Sequence, residues 1–144
     1  MPVLSDPFAS LFSSTAEFAR LEEGLSGPGV TALFGLPPAG RMALAVQPSR
    51  RLGRPLCVVT AGEAEASRAA ADLQALGLSA AVSPARDLLL RPIEGAGREY
   101  EYRRLAVLGG LVGSRVDAVC VPAEGLLQFT VPKAELCANT LPLK

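Results

Sequence analysis

The sequence predicts an α/β domain of three layers, a mainly parallel sheet with helices on both faces. Two observations carry that expectation. Short apolar runs recur at residues 30–34, 55–60, 78–82 and 116–121, and helix-period segments separate them. Alternation of this kind joins successive strands by helical crossovers, and a crossover returns the chain to pair in parallel. A length of 144 residues with 49% apolar content is enough for one core.

Residues 1–29 read as an N-terminal helical and turn extension. Phe8, Leu11, Phe12, Phe18 and Leu21 are spaced for short amphipathic helices that pack onto another surface. The domain proper spans 30–128. Its first strand, 30–34, runs into a Gly/Pro loop and a short helix over 41–46. The second strand, 55–60, feeds a helix over 62–76 through a capping box. Thr60 and Glu63 have the spacing at which hydroxyl and carboxylate each satisfy an orphan N–H. Ala66, Ala69, Leu73 and Leu76 share one face of this helix, and Gly77 stops it. After the third strand, 78–82, a stretch through Pro84, Arg86 and Pro92 leads to a helix over 98–111. Its apolar stripe is Tyr102, Leu105, Leu108 and Leu111. The fourth strand, 116–121, and a short helix, 123–128, complete the pattern. Residues 129–144 lack a helix stripe and read as a linker or the truncated start of a following domain.

Composition excludes several chemistries. Lys and Arg number 14, as do Asp and Glu, so the formal net charge is zero, and there is neither His nor Trp. Without His there is no Ser-His-Asp or Cys-His relay, no His-ligated metal and no imidazole switch. A neutral balance gives no basic surplus for phosphate-driven nucleic-acid binding, and DNA contact by this chain is not expected. Cys57, Cys120 and Cys137 are odd in number and far apart, without a C-x-x-C, which predicts neither zinc site nor disulfide framework. The first basic residue is Arg20, so no secretory leader is visible. The longest uncharged stretch, 24–40, holds five Gly and three Pro and is no membrane span. The expectation is a cytoplasmic chain.

One segment is suggestive of chemistry. Gly35-Leu-Pro-Pro-Ala-Gly40-Arg41-Met42 has the spacing and the strand-to-helix context of the phosphate loop G-x-x-x-x-G-K-[ST]. In such a loop backbone N–H groups cradle phosphates, Lys reaches the outer phosphates and the hydroxyl holds Mg²⁺. Here Gly35 and Gly40 remain. Arg41 keeps the charge with a planar fork in place of an ammonium. Met42 offers a thioether where a hard cation needs oxygen, and Pro37 and Pro38 remove two donors. The expectation is a vestigial cofactor-binding loop at Gly35, Gly40 and Arg41, with no catalytic residue, no bound cofactor and no metal. A chance Gly/Pro turn matches the same spacing. So does a small self-contained nucleotide-binding enzyme with an atypical loop, whose only strand-end Mg²⁺ ligand would be Asp117; a stand-alone interaction module is a third reading.

Other charged residues read as structural. Glu63/Glu65 and Glu99/Glu101 sit in first helical turns, where the helix dipole favours them. Arg103 and Arg104 are expected to form intrahelical ion pairs with Glu99 and Glu101. Arg50, Arg51 and Arg54 make a small basic patch. Cys57 and Cys120 read as small core residues.

Several segments, in order, resemble bacterial transcription-repair coupling factors. They are Arg51-Leu-Gly-Arg-Pro-Leu-Cys-Val-Val-Thr60 with Glu63-Ala-Glu-Ala66, then Ser83-Pro-Ala-Arg-Asp87, Ile93-Glu94 and Gly97-Arg-Glu99. Arg103-Arg-Leu-Ala-Val-Leu108 and Val119-Cys-Val-Pro-Ala-Glu-Gly-Leu-Leu-Gln128 complete the set. The likeness covers roughly 30–128. It implies a degenerate helicase-like fold, similar to the first domain of the UvrB excinuclease subunit, without ATPase function. The full family protein is an ATP-driven DNA translocase that displaces stalled RNA polymerase and recruits UvrA. Its ATP- and Mg-dependent motor and its polymerase-binding module lie outside these residues, and the UvrA-contacting surface belongs largely to the next domain. The implied role of this chain is a non-catalytic scaffold in transcription-coupled nucleotide excision repair, docked against downstream domains.

Overall fold

Thr15 opens the first helix of the computed structural model, which describes residues 14–86 and 98–140. Its backbone is extended, and its hydroxyl accepts from the Phe18 N–H at 3.3 Å, so α1 (Ala16–Ser26) begins with a capped turn. Phe18 and Leu21 are its buried face and pack with Leu44 and Leu36. Glu22 of α1 ion-pairs with Arg51 of the next helix. Phe8, Leu11 and Phe12 lie outside the described residues.

The chain then departs from expectation. Residues 30–34 pair with no strand among the described residues, and Val30 and Phe34 are 99% and 89% exposed. Gly29 and Gly35, at φ 142° and 83°, bend the chain on either side. A short apolar run without periodicity reads the same whether it enters a sheet or not. Helix α2 (Pro38–Leu52) is correspondingly longer than the predicted 41–46. Pro38 fits the first turn, where its missing N–H costs nothing. Gly53, left-handed at φ 59°, ends the helix by donating to Arg50 O while Arg54 N–H donates to Ser49 O.

Among the described residues three strands, not four, form the sheet: β1 (Leu56–Thr60), β2 (Ala80–Val82) and β3 (Ala118–Pro122). The order is β1-β3-β2 and both pairings are parallel, with Leu56 and Ala80 flanking Ala118 and with Val58 and Val82 flanking Cys120. The predicted α/β class therefore holds. These flanking residues face α3 (Glu63–Ala75), whose Ala66, Ala69, Ala70 and Leu73 are buried on them. Three alanines in that face bring helix and sheet close together. Leu73 and Val46 are fully enclosed, so α2, α3 and the sheet meet in one core. On the other face of β1, Cys57 is exposed and Val59 is 51% exposed, so cover on both faces is incomplete at this strand.

The cap of α3 is shifted by two residues from the predicted box. Gly62 is the N-cap, and the carboxylate that reaches back is Glu65, accepting from Ala61 N–H at 3.1 Å. Thr60 donates its hydroxyl to Gly62 O instead. Helix α4 (Glu99–Val112) is also turned from the predicted stripe. Its buried residues are Arg104, Val107 and Gly110, while Tyr102 is 63% exposed. Gly110 permits this rotation, since a Cβ there would lie 2.6 Å from Val116 Cγ2. Two short helices follow, α5 (Ala123–Leu126) directly off β3 and α6 (Lys133–Ala138) in the tail where no helix was predicted. Among the described residues no helix is long and apolar enough to cross a membrane.

Candidate functional site

Gly35, Gly40 and Arg41 meet at one loop–helix junction, although no sheet strand leads into it. Helix α2 starts at Pro38, so Gly40 lies inside the first turn, packed against the Pro37 ring. Pro37 and Pro38 carry no N–H, and the Arg41 N–H is bonded to Pro37 O at 3.0 Å. Ala39 and Gly40 are then the remaining amide donors of the first turn. The exposed Arg41 side chain folds back, Nε donating to the loop's own Leu36 carbonyl at 3.0 Å. Met42, in the place of the metal-binding hydroxyl, packs partly buried against the main core.

A different site lies beyond the carboxyl ends of β2 and β3, where ligands of open parallel sheets bind. It is a groove of about 510 Å³, walled by Leu105 and Leu108 of α4 on one side and by Leu127, Phe129 and Val131 on the other. Arg104 forms its base and is only 8% exposed. Its Nη1 donates to the carbonyls of Pro84 (3.1 Å) and Gly125 (3.2 Å) and lies 3.3 Å from Tyr100 Oη and 3.5 Å from Gln128 Oε1. The guanidinium carbon is 5.9 Å from the Tyr100 ring centroid. Every one of these acceptors is neutral. Gln128 holds the loop after β2 by a two-way bond to the Arg86 backbone.

The sequence pointed Arg103 and Arg104 at neighbouring glutamates, and the structure separates them. Arg103 does pair with Glu99, at 2.7 Å on the exposed side. Adjacent helical residues point about 100° apart, so the second arginine of the doublet cannot share that face and turns inward. That geometry was the available signal. The basic patch is also divided: Arg51 pairs with Glu22, and Arg50 Nη2 donates to Leu76 O at 2.8 Å. Cys120 is buried as expected, but Cys57 is exposed on the open sheet face, and no group of three metal-ligating side chains occurs among the described residues. Partial desolvation still pushes the Cys57 thiol up, although the residue as a whole is exposed. Comparisons of this chain with protein-family models, with curated proteins and with solved structures return no match.

Proposed function

We propose that this chain is a non-catalytic, helicase-like α/β module of the transcription-repair coupling factor family, acting as a cytoplasmic scaffold for UvrA recruitment in transcription-coupled repair. The ordered family segments between Arg51 and Gln128 motivate the family. Translocation, polymerase displacement and ATP use belong on this reading to other parts of the family protein. Its three-stranded parallel sheet is consistent with the α/β class that this reading requires. The chain steps from β1 across to β2 and back to β3, with α3 and α4 in the two connections.

The observation that carries the non-catalytic reading is the direction of two side chains. Met42 packs partly buried against the core, and Arg41 holds its Nε on Leu36 O. A thioether is a poor ligand for Mg²⁺, and a planar guanidinium tied at Nε to its own loop differs from the flexible ammonium that reaches an outer phosphate. Calorimetric titration of the purified chain with Mg-ATP is expected to give no heat of binding; low-micromolar binding would overturn the vestigial loop. Family membership is tested by the coding sequence beyond Lys144, where an open frame with a helicase motor is expected and a stop codon overturns it.

A further inference from the structure

We propose that the groove beside Arg104 is a docking site for an apolar peptide segment of a partner protein that carries a single carboxylate. The inference is independent of the family reading, because it rests on where one cation's charge is left. Arg104 is more than nine-tenths buried, yet among the described residues no carboxylate pairs with it and only Nη1 has protein partners. Among the described residues no buried side-chain nitrogen lacks a hydrogen bond. The unpartnered Nε and Nη2 are therefore not sealed from solvent, and Arg104 lines this groove.

Those two atoms form the side-on edge of the guanidinium, whose parallel N–H groups match the two oxygens of a carboxylate. The Nη1 bonds to Pro84 O and Gly125 O fix the plane of the fork in advance, so an incoming carboxylate meets a rigid donor. Apolar walls surround that donor: Leu127 is 88% exposed and Phe129 is fully exposed. These side chains specify aliphatic or aromatic neighbours for the acid. Glu101 and Glu124 on the rim set the charge limit. With Arg86 and Arg104 against these two carboxylates the lining is neutral overall, so one carboxylate seated on Arg104 adds less repulsion than a phosphate dianion or an acidic run.

Random dodecapeptides displayed on phage, panned on the immobilised chain, test this. Counter-selection uses a Leu127→Ser, Phe129→Ser double variant, which removes only exposed groups and keeps the Arg104 bonds. Enriched peptides are expected to hold one Asp or Glu within an apolar run. The best of them, synthesised, should shift the Arg104 Nε–H resonance on saturable binding, and its Asn or Gln counterpart should bind at least about tenfold more weakly. Failure to enrich, enrichment without a carboxylate, equal binding of the amide peptide, or equal binding by the double variant overturns the proposal. A dimer in light scattering that peptide does not dissociate would assign the groove to a second copy and overturn it too.

Discussion

The side-chain amide of Gln128 pairs with the backbone of Arg86 in both directions, Nε2 donating to the carbonyl and Oε1 accepting from the N–H, each at 3.0 Å. A residue after α5 thus acts as a one-residue strand for the loop that leaves β2. The same Oε1 accepts from Tyr100 Oη and lies 3.5 Å from Arg104 Nη1. Three elements that share no ladder are held by one amide.

Gln128→Ala should therefore cost more than a surface substitution. Two backbone groups of Arg86 fall back on water, and Arg104 and Tyr100 each lose an acceptor. A loss of about 1–2 kcal/mol is expected, read as a lowered urea midpoint with unchanged slope. A midpoint unchanged within error would show that the clamp is idle.

Leu73 is the centre of the core, fully enclosed between α2 and the sheet. Leu73→Ala removes buried methyl groups and leaves a cavity that the alanines around it cannot fill. A loss of roughly 3–5 kcal/mol is expected, measured by chemical denaturation. Leu127→Ala, at an exposed position, should leave the midpoint where it is.

Gly110 and Val116 make a reciprocal pair. A Cβ at residue 110 would lie 2.6 Å from Val116 Cγ2, so Gly110→Ala overpacks the joint by about 1–3 kcal/mol despite improved helix propensity. Adding Val116→Ala to that variant removes the clash and should restore most of the stability. A double variant no better than the single one would refute steric conflict as the cause.

The thiols give the molecule an alkaline limit. Burial, and secondarily the charge of Cys57, pushes Cys120 from the ordinary thiol value of 9.0 up to about 11. Between those values the unfolded chain releases a proton that the folded chain keeps, so rising pH favours unfolding. The contribution is intact below pH 9 and is lost as pH climbs toward 11. Cys120→Ala should flatten the fall in stability over that window, in urea titrations at pH 8.5 and 10.5. At pH 8 a thiol reagent should leave Cys120 unmodified until the chain unfolds, while the exposed Cys57 and Cys137 react.

The alternation of strand and helix was legible in the sequence wherever an amphipathic helix fixed the phase. Ala66, Ala69 and Leu73 occupy the predicted face because three small or aliphatic residues recur with no competing apolar stripe. On α4 two stripes compete. Tyr102, Leu105 and Leu108 look more hydrophobic, yet the helix buries Arg104, because a guanidinium satisfying two carbonyls outweighs the larger side chains. The phosphate-loop spacing at Gly35 and Gly40 was visible, but its strand was not real: glycines on both sides leave 30–34 without a ladder. The Arg104 groove was beyond reach, since its acceptors are carbonyls of Pro84 and Gly125, and main-chain partners leave no trace in residue identity.

The position of β3 in the sheet has a consequence for how the chain is made. Among the described residues β1 and β2 pair only with β3, the last of these strands in the sequence. During synthesis neither earlier strand has a hydrogen-bonding neighbour until residues 118–122 leave the ribosome. Closure then joins Leu56 to Ala118 across the intervening helices, a long-range step that local contacts cannot anticipate. Until that moment α3 carries its alanine face without a completed sheet to cover it.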